Sequence, residues 1–414
     1  CIRDRVGQEP PRSRKRKLLL LTSLVVNLGL LGVFKYFNFF VASAAGFLSA
    51  LGFEPHMTTL RIVLPVGISF YTFQTLSYTI DLYRGKIPTE RNLLTFALYV
   101  GFFPQLVAGP IERAKHLLPQ LSKVRIVTWS DFGSGMYLVF GGLFKKVVIA
   151  DNVANFANNM FAGTPESGLY ALLGIYAFAI QIYCDFSGYS DIARGTARCL
   201  GFDLMLNFNL PYFATNPSDF WRRWHISLSS WLRDYLYISL GGNRVGPGRN
   251  YYNLMMTMIL GGLWHGAHYR FVLWGLGHGL LLVAYRVGRP LGRWLDWLPG
   301  RRVVGTVFFF SLVTALWVPF RAATTQATFT LWRKMFVSWE TGFDPVDLSN
   351  VNMPLVLALI AAVLVVHIGA AVARQRFSQL GQLLPVRAVR LGAMVAAVLQ
   401  LSHDGQVPFV YFQF

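Results

Sequence analysis

Long runs of apolar residues recur along the whole chain: Leu18 to Val33, Leu60 to Ile80, Phe132 to Ala150, Leu169 to Tyr183, Phe271 to Tyr285, Val303 to Phe320 and Pro354 to Val372. Several approach the roughly 20 residues that cross about 30 Å of hydrocarbon as a helix. Lipid offers no partner to a free backbone N–H or C=O, so runs of this length must close their hydrogen bonds internally, as helices. Barrel strands of about 10 alternating residues do not match them. Bulk composition agrees, with 54% apolar and 14% charged residues and a mean hydropathy of +0.43 over 414 positions. The expectation is an all-α polytopic transmembrane helical bundle, one membrane domain over residues 18–414, with about nine to eleven spans or half-spans. Leu18 to Phe53 reads either as one long helix with a re-entrant tail or as two spans. Loops are expected near Tyr83 to Asn92, Ile111 to Ser130, Asn243 to Asn250, Arg286 to Arg302 and Thr324 to Val351.

The net charge of +19 raises nucleic acid as a partner, but the basic residues gather between apolar runs. Arg12, Arg14, Lys15, Arg16 and Lys17 stand directly before the first span, as positive-inside orientation requires. Membrane topology therefore accounts for them, and no nucleic acid is expected; the surplus also suits an anionic substrate or lipid headgroups. Residues 1–17 read as a basic cytoplasmic loop. Because the stretch opens on Cys1 and lacks the apolar core of a signal peptide, one or two earlier spans are expected to precede it. Cys1, Cys184 and Cys199 have no metal-ligand spacing, and neither a metal nor a bound cofactor is expected.

From Gln181 to Arg249 aromatic and apolar residues interleave with Asp185, Asp191, Asn207, Asn209, Asp219, Arg222, Arg223, His225, Arg233 and Asp234. So many polar groups cannot face lipid; the segment is expected to line a cavity, lie at the interface or dip in as re-entrant structure. At about 100° per residue Phe220, Trp224, Leu228, Trp231 and Tyr235 fall on one stripe, with Arg222, His225, Ser229 and Arg233 opposite. That predicts a continuous amphipathic helix with a His-bearing charged face, which an interfacial anchor explains equally well.

The sharpest local feature is Gly261-Gly262-Leu263-Trp264-His265-Gly266, a histidine within an apolar stretch beginning near Leu254. An ionisable side chain at membrane depth is costly and marks function by default. Desolvation disfavours the imidazolium, and a neutral imidazole within reach of a hydroxyl can take its proton as that hydroxyl attacks an acyl thioester. His265 is the expected general base, with flanking glycines expected to leave the substrate room. A histidine hydrogen-bonded between helices is the plainer alternative. His225 is expected to bind substrate, orient water or assist proton transfer, with a purely structural role as its counterpart; His268 and His278 have no distinguishing setting. The chain has no Walker-type loop, no His-Glu-x-x-His helix and no Gly-x-Ser-x-Gly elbow. Cys184 and Ser187 lack a neighbouring base in sequence and read as helix-packing residues.

Several separate blocks resemble the membrane-bound O-acyltransferase family, and within it the alginate O-acetyltransferase branch. They are Phe70 to Tyr78, Phe103 to Ile111, Cys184 to Asp191, Phe220 to Leu228, Leu240 to Arg244, Gly262 to Gly266 and the ending Pro408 to Phe414. The resemblance implies a bundle with re-entrant and interfacial helices around a central tunnel in the bacterial cytoplasmic membrane. It places the family's catalytic histidine at His265 and the second histidine of its relatives at His225. It further implies a cytosolic donor, acetyl-CoA, at one mouth, and an exported polysaccharide such as alginate or a periplasmic acetyl-transfer partner protein at the other. Trp264, Arg222, Arg223, Arg233, Asp234 and Arg244 are the expected substrate-binding residues, the arginines meeting the donor's phosphates by charge-assisted bonds. Peptidoglycan O-acetylation and teichoic acid D-alanylation fit the same fold, and a non-catalytic transporter is the alternative of a different class.

Overall fold

The computed structural model describes residues 13–57, 59–60, 64–163, 167–292, 300–337, 353–361, 363, 365, 384–402 and 409. Among them the chain is helical and forms no β-strand, as the apolar runs predict. Five helices among the described residues are long and apolar enough to cross a membrane. Most of the Pro408–Phe414 ending and residues 1–12 lie outside the described residues; Phe409 packs on Tyr189, with ring centroids 5.0 Å apart.

The first span, α1 (Arg14–Ala50), is one continuous helix rather than two. It opens earlier than the sequence suggests: Ser13 accepts from the Arg16 N–H as an N-cap, so Arg14 to Lys17 are helical and not part of the preceding loop. Arg16 is buried, donating at 3.0 Å to the carbonyls of Leu82 and Tyr83 at the end of α2 (Ile68–Tyr83). Leu18, Val25, Leu28, Phe40 and Phe47 of α1 stay exposed, a surface suited to acyl chains. In its middle α1 relaxes into a π-turn at Gly32–Tyr36, the kind of widening often found at functional sites.

Two short helices follow, α3 (Leu93–Gly101) and α4 (Ala114–Leu121). The latter lies within Ile111 to Ser130, which sequence reads as loop. His116 of α4 donates from Nδ1 to the buried Glu112 carboxylate at 2.8 Å, and that bond raises the histidine's pKa above its ordinary 6.5. The charged pair therefore adds stability that is complete below about pH 6.5 and fades as pH rises through the raised pKa. His116→Gln is expected to remove this slope: thermal melts from pH 6 to 8.5 should show the wild type losing its margin over the variant. Parallel curves would show the bond is neutral.

The centre of the bundle is α6 (Gly168–Cys199), buried around most of its circumference. It packs on α5 (Trp129–Ala162) through glycines: a Cβ on Gly142 would meet the Gly188 carbonyl, and one on Gly188 the Gly142 carbonyl. Cys184 and Ser187 are buried in the same helix, as packing residues would be. Between α5 and α6 lies a buried ion cluster, with Lys146 Nζ 2.7 Å from Asp151 and 2.8 Å from Asp185.

The region predicted as one amphipathic helix is broken. A short α7 (Pro217–Trp221) ends, the backbone turns through residues 222–225, and α8 (Ile226–Trp231) continues in a π-turn at Leu232–Tyr237. The cause is long-range: Asn209 N–H donates to the Arg223 carbonyl and Ile226 N–H to the Asn207 carbonyl, each at 2.9 Å. These bonds pull the chain out of helical register and leave His225 in the left-handed region at φ 42°. The predicted apolar stripe is nonetheless buried, from Phe220 through Trp224, Leu228 and Trp231 to Tyr235. The helices that follow include α9 (Pro247–His265), α10 (Tyr269–Gly292), α11 (Arg301–Arg321), α12 (Thr325–Phe336) and α13 (Leu384–Leu401).

Candidate functional site

His265 is the last residue of α9, where the helix ends at the extended Gly266. The residue is 9% exposed, and its ring is met nearly edge-on by Trp264, Trp274 and Phe320, each with centroids 5.1 Å away. His265 also lines a cavity of about 310 Å³, together with Trp264 of α9, Lys35 of α1, and Ser69 and Phe70 of α2, among others. The adjacent glycines do not serve substrate access as expected. A Cβ on Gly262 would run into the Phe271 carbonyl and Gly275, and one on Gly266 into the Phe271 ring. They let α9 and α10 approach closely, which fixes the helix end carrying His265.

His225 does not belong to a charged face. It is fully buried, against Phe186 at 4.7 Å, and its Nδ1 is 3.1 Å from Asn207 Oδ1. The same oxygen accepts from the Ser227 amide at 3.2 Å and hydroxyl at 3.0 Å, and Asn207 Nδ2 donates to Ser190 at 3.1 Å. An amide oxygen only accepts, so the neutral imidazole carries its proton on Nδ1 and its lone pair on Nε2. The two histidines flank one indole, with Trp264 at 5.1 Å from His265 and 6.2 Å from His225. His278 is also fully buried, between Trp221 at 5.0 Å and Trp274 at 4.7 Å. His268 is partly exposed, its Nδ1 accepting from the Arg270 amide at 3.3 Å.

The predicted arginines divide. Arg222 and Arg233 line a second cavity of about 370 Å³ together with Arg286, Ser218, Ser229 and Trp221. Arg223 lies outside that lining, donating to Asp219 at 2.9 Å and to the Asn209 carbonyl at 3.4 Å, where it secures the 222–225 turn. Arg244 is exposed and lines neither cavity. Asp234 holds cations in place: Arg233 donates to it at 2.8 Å and Arg113 lies 3.7 Å away, its guanidinium 4.5 Å over the Tyr235 ring. Two aromatic contacts connect the cavities, Trp221 to Trp274 at 5.7 Å and Trp274 to His265 at 5.1 Å.

Sequence reasoning passes over Lys35 and Arg286. Lys35 donates to the Trp264 carbonyl at 2.6 Å and to Ser69 Oγ at 3.1 Å, and neighbouring Tyr36 donates to the Leu263 carbonyl at 2.9 Å. A signal for it exists, a lysine beyond Leu18 to Val33 in an apolar stretch, though nothing local says which helix end it meets.

Residues 86–313 match the sequence model of the membrane-bound O-acyltransferase family. Among curated proteins the chain is similar to the probable alginate O-acetylase of Pseudomonas putida, at 41% identity over 99% of this chain and 87% of that protein. The probable alginate O-acetylase of Azotobacter vinelandii is 40% identical over the same shares. The peptidoglycan O-acetyltransferase of Helicobacter pylori is 37% identical over 80% of this chain and 67% of its own length.

Proposed function

Given that the chain belongs to the membrane-bound O-acyltransferase family and is a multi-pass membrane O-acyltransferase, we propose that it passes an acetyl group from cytosolic acetyl-CoA toward O-acetylation of an exported polysaccharide such as alginate, in the bacterial cytoplasmic membrane. A periplasmic protein that carries the acetyl onward is the partner of this reading. Membership in an enzyme family sets the transporter alternative aside.

The observation that carries the proposal is the position of His265, which lines one cavity and is linked through Trp274 to Trp221 in the lining of a second, arginine-bearing cavity. Arg222, Arg233 and Arg286 offer the donor's phosphates charge-assisted hydrogen bonds. Beside His265 the acceptor hydroxyl oxygen attacks the thioester carbonyl carbon while the imidazole takes its proton. The tetrahedral adduct then breaks its C–S bond, and the departing thiolate receives that proton from the imidazolium. Trp264 holds the ring in place by edge contact. His225, itself held by Asn207, meets the same indole at 6.2 Å.

Two measurements test the reading. Deleting the gene in its native cell should abolish O-acetyl signals in the NMR spectrum of the secreted polysaccharide. Unchanged acetylation would overturn the acceptor, and loss confined to peptidoglycan would reassign it. For the donor, R222Q/R233Q/R286Q is expected to raise KM for acetyl-CoA about ten-fold or more, since a hydrogen bond to a charged group contributes about 1.5–3 kcal/mol, with kcat little changed. An unmoved KM removes these arginines from the donor site.

A further inference from the structure

Lys35 is the one cation among the described residues lining the His265 cavity, and none of the described carboxylates comes within ion-pair distance of it. Its placement is built by several features. The π-turn at Gly32–Tyr36 turns Lys35 and Tyr36 together toward the end of α9, where they take up the carbonyls of Trp264 and Leu263. The Trp264 carbonyl belongs to the residue immediately before His265, which ties the ammonium to the helix end carrying the base. An ammonium has three N–H donors. Two are used, on Trp264 O at 2.6 Å and Ser69 Oγ at 3.1 Å.

A cation held in an apolar span without a carboxylate is costly; capping a helix end repays only part of that cost. The cavity that Lys35 shares with His265 is where the proposed reaction creates negative charge, on the acyl carbonyl oxygen. Resting on the acyl-transfer reading above, we propose that Lys35 is the electrophilic residue of this site, donating its third N–H to the carbonyl oxygen of the acyl group as the hydroxyl adds.

The electron count closes with no further reagent. The hydroxyl oxygen bonds to the carbonyl carbon, its proton goes to His265, and the C=O π pair moves onto oxygen opposite the Lys35 ammonium. That pair then reforms C=O, the C–S bond breaks, and sulfur takes the proton from His265. Lys35 remains an ammonium throughout. It contributes because its position is preorganised by the two hydrogen bonds it already makes, so the field acts on the transition state with little reorganisation.

The experiment is acetyl-CoA turnover by the full chain in lipid nanodiscs, read as thiol release, with folding checked by size exclusion and thermal melting. K35Q keeps a donor for Trp264 and Ser69 but removes the charge; K35R keeps the charge. K35Q is expected to lose about 10²-fold in kcat, the loss typical of removing one oxyanion donor, with KM for acetyl-CoA within about two-fold and an unchanged melting temperature. K35R should retain at least ten-fold more activity than K35Q. If K35Q instead turns over like wild type, or loses kcat only in step with its melting temperature, Lys35 is a structural anchor and the proposal fails. Should K35Q not fold, K35C decides: alkylation with 2-bromoethylamine rebuilds a lysine-like ammonium, and at least ten-fold recovery supports the role while none overturns it. H265A runs alongside. Full turnover by H265A defeats the acyl-transfer reading itself, whereas an inactive H265A beside a fully active K35Q defeats only the inference about Lys35.

Discussion

Replacing His265 with alanine is expected to lower kcat for acetyl transfer by about 10²–10⁴-fold, the usual contribution of a positioned general base. His225 holds Asn207 through Nδ1 and meets Trp264 at 6.2 Å, the indole that also meets His265 at 5.1 Å. His278 lies beyond Trp274 and is fully buried. KM for acetyl-CoA should change little, because Arg222, Arg233 and Arg286 line a different cavity. The fold should survive, since the aromatic rings that meet His265 edge-on are held by others: Trp264, Trp274 and Phe320 keep their contacts with Phe73, Trp317 and Phe271. The check is thiol release from acetyl-CoA together with acetyl content of the secreted polymer in a His265→Ala strain. A folded variant that retains wild-type turnover would strip His265 of the role.

The second large effect concerns stability. Lys146→Met leaves Asp151 and Asp185 facing each other across the position the ammonium held, with the Asp185 side chain 2% exposed. Removing one partner of a buried ion pair costs about 3–5 kcal/mol, a large share of the roughly 5–15 kcal/mol that holds a typical fold. Little folded K146M is expected after detergent extraction, and what is recovered should melt far below wild type. Asp185→Asn should cost less, because Lys146 retains Asp151 at 2.7 Å. The triple K146M/D151N/D185N should recover part of the loss by leaving no stranded carboxylate. Thermal melts on the four proteins check the order; a K146M melt within about 2 °C of wild type would show that the cluster contributes little.

Much of the architecture is legible in the sequence. Runs such as Leu18 to Val33 and Val303 to Phe320 have to be helices because lipid satisfies no backbone group, a requirement that depends on composition and length alone. His265 is conspicuous for the same reason, an ionisable ring in an apolar stretch. The stripe Phe220, Trp224, Leu228, Trp231 and Tyr235 is buried as its periodicity predicts, yet no continuous helix carries it. Helical periodicity describes a segment in isolation, and the break at residues 222–225 comes from backbone bonds to Asn207 and Asn209, a stretch of chain outside any short helical window.

Sequence by itself therefore determined the solvent this chain lives in, its helical nature and the residue at the centre of its proposed chemistry, because those follow from the cost of bare backbone and charge in hydrocarbon. Only the tertiary structure decided that Lys35 meets the residue before His265, although 229 positions separate Lys35 from Trp264. It likewise brought Arg222, Arg233 and Arg286 to one cavity, turned Arg223 to Asp219 and left Arg244 aside. Side chains far apart in sequence find one another through the packing of helices, and close approaches such as Gly262 on Gly275 set that packing. The pairing is a property of the assembled bundle, and no single run of residues carries it.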